Sequence, residues 1–195
     1  MAVSDELVNA KRALRANIRE RRNTLPAHTR ELATTSLTAN LQQLVAGSKA
    51  RSLACYLATP TEPETRPFLA WAYEAGIRVL LPVSREDGLL DWAVANNTPD
   101  ENVGLHGMPE PTGELLGPIA INDVDLIIVP AAAVDRRGMR MGWGMGYYDK
   151  TLGSMERRPP VYALVYDEEV VDELPREIHD QPVTGVVTPA GITTF

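Results

Sequence analysis

The chain has 195 residues, of which 44% are hydrophobic, and this suits a single globular domain with a sizeable core. Its formal net charge of −7 argues against a general nucleic-acid-binding or membrane-surface protein, because such partners attract basic patches. The single cysteine, Cys55, excludes an intrachain disulfide and fits a reducing compartment. No apolar run approaches the ~20 residues of a membrane span, and the N-terminus lacks the features of a signal peptide. We therefore expect a cytoplasmic protein, most simply a monomer, with no nucleic-acid or membrane partner.

The N-terminal segment has helical periodicity and is closed by Pro26. Its apolar stripe consists of Leu7, Ala10, Leu14 and Ile18. A basic stripe lies beside it and consists of Lys11, Arg15, Arg19 and Arg22. Lys11 and Arg15 are four residues apart, so both can converge on one anion. From the residues alone, a solvated basic face is the better interpretation.

Strands alternate with helices along most of the remaining chain. The patterns predict helices at 29–45 and 68–75, strands at 52–58, 77–81, 89–94, 126–129, 161–165 and 185–188, and a loop at 96–118. Pro82 and Pro130 should end the strands before them, and 185–188 should be the last strand. This alternation predicts an α/β fold with a mostly parallel sheet covered by helices on both faces. The loop at 59–65, which contains Glu62, follows a strand at the sheet edge where such folds bind ligands.

A glycine-rich loop follows the strand at 126–129. Gly142, Gly144 and Gly146 occupy every second position, and Tyr147, Tyr148 and Asp149 then open a predicted helix. Glycine lets a ligand approach the backbone, and N–H groups at a helix N-terminus attract phosphate. The loop lacks the Gly-Lys-Ser/Thr of a Walker A motif, and a purely structural turn is the alternative interpretation.

Residues 129–150, with the string MRMGWGMGYYD at 139–149, resemble the signature of the 5-formyltetrahydrofolate cyclo-ligase family, also called methenyltetrahydrofolate synthetases. Residues 11–15, 61–65, 104–111 and 179–183 resemble four further segments of that family in the same order. The resemblance therefore covers nearly the whole chain. One position departs from it, because Trp143 stands where the family usually has a basic residue.

The resemblance implies a single domain over 1–195 with a three-layer α/β/α, Rossmann-like fold, whose N-terminal helix at 1–25 contributes to an ATP site. It implies an enzyme that uses ATP and Mg²⁺ to convert 5-formyltetrahydrofolate to 5,10-methenyltetrahydrofolate, with release of ADP and phosphate. In that reaction the formyl oxygen is phosphorylated and N10 of the substrate attacks the activated carbon. The substrate can carry a polyglutamate tail. No nucleophile from the protein is needed, so we expect Cys55 to be a core residue.

The resemblance also assigns site residues in this numbering. Arg140 and Asp149 are the expected catalytic residues, and Asp149 and Asp180 the expected metal ligands. The expected ATP-binding residues are Lys11, Arg15, Arg140, Met141, Gly142, Trp143, Gly144, Met145, Gly146, Tyr147 and Tyr148. The expected folate-binding residues are Leu57, Glu62, Trp143, Gly144, Met145, Gly146 and Tyr147. The other cations of the N-terminal stripe, Arg19 and Arg22, are expected to remain solvated, and His106 is left outside the site.

Trp143 supports one alternative, a folate- or nucleotide-binding regulator on the same scaffold that has lost turnover. A further alternative, a sugar-phosphate isomerase or acyl-CoA transferase on a similar three-layer fold, rests on fold analogy alone. Because glycines flank the indole, we expect it either to be exposed or to touch a ligand, and we hypothesise that it stacks on the bound folate. The alternative is a tryptophan packed beneath the loop as a structural plug.

Overall fold

The computed structural model describes residues 2–95, 101–177 and 179–195. Its helices are α1 (Ala2–Thr24), α2 (Ala27–Ser48), α3 (Arg66–Glu74) and α4 (Tyr147–Ser154). Its strands are β1 (Ser52–Ala54), β2 (Arg78–Ser84), β3 (Leu90–Val94), β4 (Glu101–Val103), β5 (Pro109–Pro111), β6 (Leu115–Leu116), β7 (Leu126–Pro130), β8 (Ala133–Asp135), β9 (Arg140–Met141), β10 (Val161–Leu164), β11 (Val170–Val171), β12 (Gly185–Thr188) and β13 (Gly191–Thr194). Among the described helices, none is long and apolar enough to cross a membrane.

An eight-stranded sheet runs in the order β13-β12-β10-β7-β1-β2-β3-β6. Its five central strands, β12 to β2, are parallel to one another, and the strands at both edges are antiparallel to their neighbours. The central strand β7 explains this arrangement. Its residues form a continuous apolar run, so both faces of the strand must be buried, as they are in parallel sheets. The predicted mostly parallel sheet is confirmed.

Two apolar layers separate the sheet from the helices. Alternate residues of β7 point to opposite faces, so Leu126 and Ile128 join the layer beneath α2 and α3. Ile127 and Val129 join the opposite layer, which includes Leu152 of α4. The helix–sheet–helix arrangement confirms the predicted three-layer α/β/α fold.

Several predicted boundaries are wrong. Strand β2 continues through Pro82, because its pairing with β1 ends at Leu80 and only β3 continues beside it. The predicted loop at 96–118 contains β4, β5 and β6, and β6 extends the main sheet through β3. Residues 96–100 of that prediction lie outside the described residues. The final strand is β13, which folds back on β12 after Pro189.

A small second sheet was also missed. It has the strand order β11-β8-β9, and its strands β8 and β9 connect β7 to the glycine-rich loop along the chain. Asp135 supports it, because one carboxylate oxygen accepts the N–H groups of Arg137 and Met139 and the other accepts that of Leu174. These bonds fix the turn that leads into β9 and therefore the start of the glycine-rich loop.

Helix α2 offers a matched test of the packing. Leu37 is 0% exposed under the sheet, whereas Leu32 on the same helix is 57% exposed. We expect Leu37→Ala to lower the free energy of unfolding by about 2–5 kcal/mol, because the buried cavity cannot fully collapse. Leu32→Ala should change it by about 0.5 kcal/mol or less. Urea unfolding followed by circular dichroism measures both, and equal losses would contradict the described burial of this helix.

Candidate active site

A cavity of about 920 Å³ opens at the carboxyl ends of the central strands. Leu57 follows β1, Ser84 ends β2 and Pro130 ends β7, and all three line it. Parallel strands end at this edge without covering one another, which leaves a crevice that the following loops enclose. The cavity therefore lies where the sequence predicted a ligand site.

The glycine-rich loop forms one wall. It leaves β9 at Met141 and enters α4 through Gly146, which has a left-handed φ of 75°. At Gly142 a Cβ would come within 2.8 Å of Nη1 of Arg140, and at Gly144, with φ +103°, it would approach the Arg15 guanidinium. The glycines thus allow two cations to lie directly against the loop backbone. The predicted order of elements, a glycine-rich loop followed by a helix, is confirmed.

Helix α1 forms a second wall through its basic residues. Nε of Arg15 donates a hydrogen bond of 2.7 Å to the carbonyl oxygen of Gly142. Nζ of Lys11 donates to Oε2 of Glu177 at 2.8 Å and to Oδ2 of Asp180 at 2.6 Å. Lys11 is only 5% exposed, so its charge is neutralised by these carboxylates rather than by water.

The predicted metal ligands lie along the same wall but have different partners. Oδ1 of Asp149 accepts a 2.7 Å hydrogen bond from Nη2 of Arg140 and a longer one from the backbone N–H of Gln181. Ligand atoms of Asp180, Glu177 and His179 lie within 4.8 Å of one another, a spacing that could hold a cation. Asp149 is not in that group. Glu177 and His179 were missed, although both neighbour Asp180 in sequence.

Two polar groups at the base of the loop lack partners among the described residues. They are Nε of Arg140 and the hydroxyl of Tyr148. The Arg140 guanidinium lies 6.0 Å from the centre of the Tyr148 ring, and burial raises the pKa of that tyrosine. Tyr148 is therefore a neutral hydrogen-bond donor over the working pH range. Buried donors without partners at a cavity wall are suited to contact a ligand or water.

Glu62 also lines the cavity and is 5% exposed. Its Oε2 accepts hydrogen bonds from the backbone N–H and the hydroxyl of Thr59, both at 2.9 Å. Burial raises the pKa of Glu62, while these bonds and the charge of Arg22 oppose the rise. A carboxylate held in a closed cavity binds donors strongly, because water does not screen it.

His106, Met108, Pro109 and Glu110 line the same cavity. His106 is exposed there with φ 59°, an uncommon conformation for a residue other than glycine. Glu110 accepts the backbone N–H of Ser84 at 2.8 Å, which ties the segment to β2. His106 is thus exposed, as expected, yet it lines the site. The only sequence signal for this was the resemblance of residues 104–111 to a family segment.

Two predictions about α1 and the loop are wrong. Arg22 was expected to be solvated, but it is 2% exposed and paired with Glu169. Trp143 was expected to be exposed or to touch a ligand because its flanking glycines leave it little side chain to pack against, but it is half-buried and packs with Leu14 against the cluster that contains Ile18. The reason is that α1 lies over the loop and supplies the surface that the flanking glycines do not. Its stacking on folate remains a prediction, and its packing agrees with a structural plug.

Cys55 lies in the core, as expected. It is 0% exposed, and burial raises the pKa of its thiol to about 12. A thiol with so high a pKa supplies almost no thiolate at neutral pH. It therefore has no role as a nucleophile in this cavity.

A sequence model of the 5-formyltetrahydrofolate cyclo-ligase family matches residues 7–189. The chain belongs to this family. A 5-formyltetrahydrofolate cyclo-ligase of Mycolicibacterium smegmatis is 36% identical over 186 residues, which cover 92% of this chain and 94% of the relative. That of Escherichia coli K12 is 30% identical over 148 residues, or 73% of this chain and 80% of the relative.

The solved structures agree with this membership. The NMR structure of Aquifex aeolicus 5,10-methenyltetrahydrofolate synthetase matches with a TM-score of 0.78 and 28% identity, over 94% of this chain and 92% of that one. The synthetase of Mycoplasma pneumoniae matches with a TM-score of 0.72 at 20% identity, which supports the fold alone. The family resemblance, the fold class and the prediction of an enzyme of the ligase class are confirmed.

The position of Trp143 leads to a test of its packing. The guanidinium carbons of Arg19 and Arg22 lie 5.3 and 5.1 Å from the centre of its ring. We expect Trp143→Arg to destabilise the protein by about 1–3 kcal/mol, because a third guanidinium would replace a ring that attracts cations. Trp143→Phe, which keeps a ring, is the matched control and should lose less. Urea unfolding measures both, and a Trp143→Arg protein as stable as the wild type would show that the indole is not part of the packing.

Proposed function

We propose that the protein uses ATP and Mg²⁺ to convert 5-formyltetrahydrofolate, with or without a polyglutamate tail, to 5,10-methenyltetrahydrofolate, ADP and phosphate. The observation that carries the proposal is that one cavity receives both sets of residues expected from the family. Lys11, Arg15 and Arg140 form one part of its lining, the cationic end, and Leu57 and Glu62 form another part, the Glu62 end. Transfer of a phosphoryl group from ATP to folate requires both substrates in one water-poor space.

ATP would bind at the cationic end. The N-terminus of α4 presents its first N–H groups beside the glycine-rich loop, and a helix N-terminus favours phosphate. The fork of Arg140 is fixed by Asp149 at 2.7 Å and still has an unpartnered Nε among the described groups. A guanidinium held in this way can bind phosphate oxygens without further loss of side-chain entropy.

Folate would bind at the Glu62 end. A pterin carries adjacent N–H donors on one ring edge, and a carboxylate accepts such a pair with both oxygens. Thr59 occupies Oε2 of Glu62 from the loop side and so orients the carboxylate. The neighbouring Leu57, 2% exposed, supplies apolar surface for the flat ring.

The chemistry follows from holding the substrates in line. The formyl oxygen attacks the γ-phosphorus of ATP, the bond from that phosphorus to the β,γ-bridging oxygen breaks, and ADP leaves. N10 of the folate then attacks the formyl carbon, N10 loses its proton, and the bond from this carbon to the phosphorylated oxygen breaks to release phosphate. Lys11, Arg15 and Arg140 would neutralise the charge on the transferred group, which is the main contribution that phosphoryl transfer requires from a protein.

The acidic residues fit the Mg²⁺ that accompanies ATP. The cation prefers carboxylate oxygens together with phosphate oxygens, and Asp180 and Glu177 offer such oxygens beside the cationic end. Mg²⁺ would neutralise phosphate charge when bound. Asp149, in the first turn of α4, could add a further oxygen.

A direct assay tests the proposal. We expect the purified protein to form a product with the near-ultraviolet absorbance of methenyltetrahydrofolate when it receives 5-formyltetrahydrofolate, ATP and Mg²⁺, with one ADP per product. Omission of ATP or addition of a chelator should abolish it, because the formyl oxygen is a poor leaving group until it is phosphorylated. A folded preparation that makes no product from either the monoglutamate or a polyglutamate substrate would refute the proposed activity.

Lys11 must exchange partners in this scheme. Its two carboxylates would pass to Mg²⁺ and its ammonium group to a phosphate. We expect Lys11→Ala to raise the KM for ATP by about 10- to 100-fold, since a charge-assisted phosphate contact is worth roughly 1.5–3 kcal/mol. The KM for folate should change far less. Arg12→Ala removes an exposed cation from the adjacent position of the same helix and is the matched control. Equal increases in both KM values for Lys11→Ala would place this residue outside the phosphate site.

A further inference from the structure

Arg22 of α1 is a cation buried behind the glycine-rich loop. Its Nε and Nη2 each donate a 2.7 Å hydrogen bond to Glu169, one to each carboxylate oxygen, and Nη2 also donates to the carbonyl oxygen of Ala131 at 2.9 Å. Its Nη1 is buried without a hydrogen-bond partner among the described residues. A buried donor without a partner costs free energy, so the ion pair with Glu169 does not satisfy the whole guanidinium.

Two aromatic rings orient this guanidinium. Its central carbon lies 5.1 Å from the centre of the Trp143 ring and 5.6 Å from that of Tyr166. The indole N–H of Trp143 is itself buried and lacks a hydrogen bond of normal geometry to any described group. It nevertheless lies close enough to the Glu62 carboxylate to lower the pKa of that group. Arg22, Trp143 and Glu62 therefore form a continuous set that reaches from α1 into the cavity.

Glu62 is surrounded by groups from several elements. Thr59 donates to it from its own loop, Trp143 faces it from the glycine-rich loop, Arg22 acts on it from α1, and Tyr56 and Tyr148 lie near it after β1 and in α4. Burial raises the pKa of both tyrosines, so they stay neutral at working pH. The charge of Arg22 is thus among the main influences that favour the ionised form of this carboxylate.

We propose that Arg22 is a positioning residue for the Glu62 end of the cavity, which holds the Trp143 ring in place where the ring lines the cavity. The proposal rests on the proposed function only for the identity of the ligand at Glu62. A carboxylate accepts two hydrogen bonds from a pterin only when it is ionised, whereas the protonated acid has one donor of its own. Arg22 would therefore favour folate binding without contacting folate.

The test replaces the ion pair as a unit. Arg22→Met combined with Glu169→Gln removes both charges, and the glutamine can still accept the backbone N–H of Tyr166 that Glu169 Oε2 accepts at 2.8 Å. Glu169→Gln alone keeps the arginine and is the matched control. The pKa of Glu62 is measured in the protein without ligands by NMR titration of ¹³C-labelled glutamate carboxyls, with Glu62→Gln to assign the signal.

The sign of the shift follows from the charge. Loss of Arg22 disfavours the ionised form, so we expect the pKa of Glu62 to rise by about one unit in the double variant. In Glu169→Gln it should stay or fall, because the arginine charge is then less compensated. An unchanged Glu62 titration in a folded double variant overturns the proposal. If the wild-type protein makes no methenyl product while this shift is observed, the proposed function fails and the role of Arg22 stands.

Steady-state kinetics of the same variants provide a second test. At pH values below the raised pKa, the double variant should show a KM for folate about tenfold higher than the wild type, with the KM for ATP within about twofold. Arg22→Lys keeps the charge and the partner Glu169 but lacks the planar face. Arg22→Lys should keep the Glu62 pKa within about half a unit and still raise the KM for folate. This variant also tests the proposal if the double variant does not fold. Equal increases in both KM values, or a wild-type folate KM in Arg22→Lys, overturn the proposal.

Discussion

Helix α1 is joined to the rest of the molecule by buried cations, and the cavity depends on this attachment. Lys11 and Arg22 are 11 residues apart, which is about three turns, so they lie on one face with Arg15 between them. Carboxylates from the C-terminal part of the chain neutralise the two buried cations. Glu177 and Asp180 pair with Lys11, and Glu169 pairs with Arg22. Without these partners a buried cation would cost about 3–5 kcal/mol, so the helix lies over the cavity only when both ends are paired.

This attachment explains which parts of the site could be predicted. Hydrophobic periodicity correctly assigned α1 as a helix, but the same periodicity cannot tell a solvated basic face from a buried one. The partners of Lys11 are 166 and 169 residues away, and that of Arg22 is 147 residues away. Arg22 was therefore misassigned to solvent, and Trp143 was expected to have little side chain to pack against, because α1 covers both.

The elements of the fold likewise divide into those that the sequence predicts and those that it does not. The central strand β7 and the glycine-rich loop before α4 were predictable, since a continuous apolar run and glycines at alternate positions have direct physical meanings. Strands β6, β9 and β11 have two residues each, too short for any periodicity to register. They form because neighbouring strands offer unpaired backbone groups, which is a property of the assembled sheet and not of the local sequence. Pro82 was taken as a strand end for the same reason, because the end of β1 beside it could not be seen in the sequence.

Helix α1 also contacts two consecutive residues of the glycine-rich loop. Arg15 donates to the carbonyl oxygen of Gly142, and the next residue, Trp143, lies against Arg22, about two turns further along the same face of α1. If a phosphate draws Lys11 away from Glu177 and Asp180, the attachment of α1 changes at one end while Glu169 still holds the other. Trp143 stands where the family usually has a basic residue, and this departure fits the geometry. Arg19 and Arg22 already bring positive charge from α1 to this position. An aromatic ring attracts these two cations, whereas a third cation would be repelled by them.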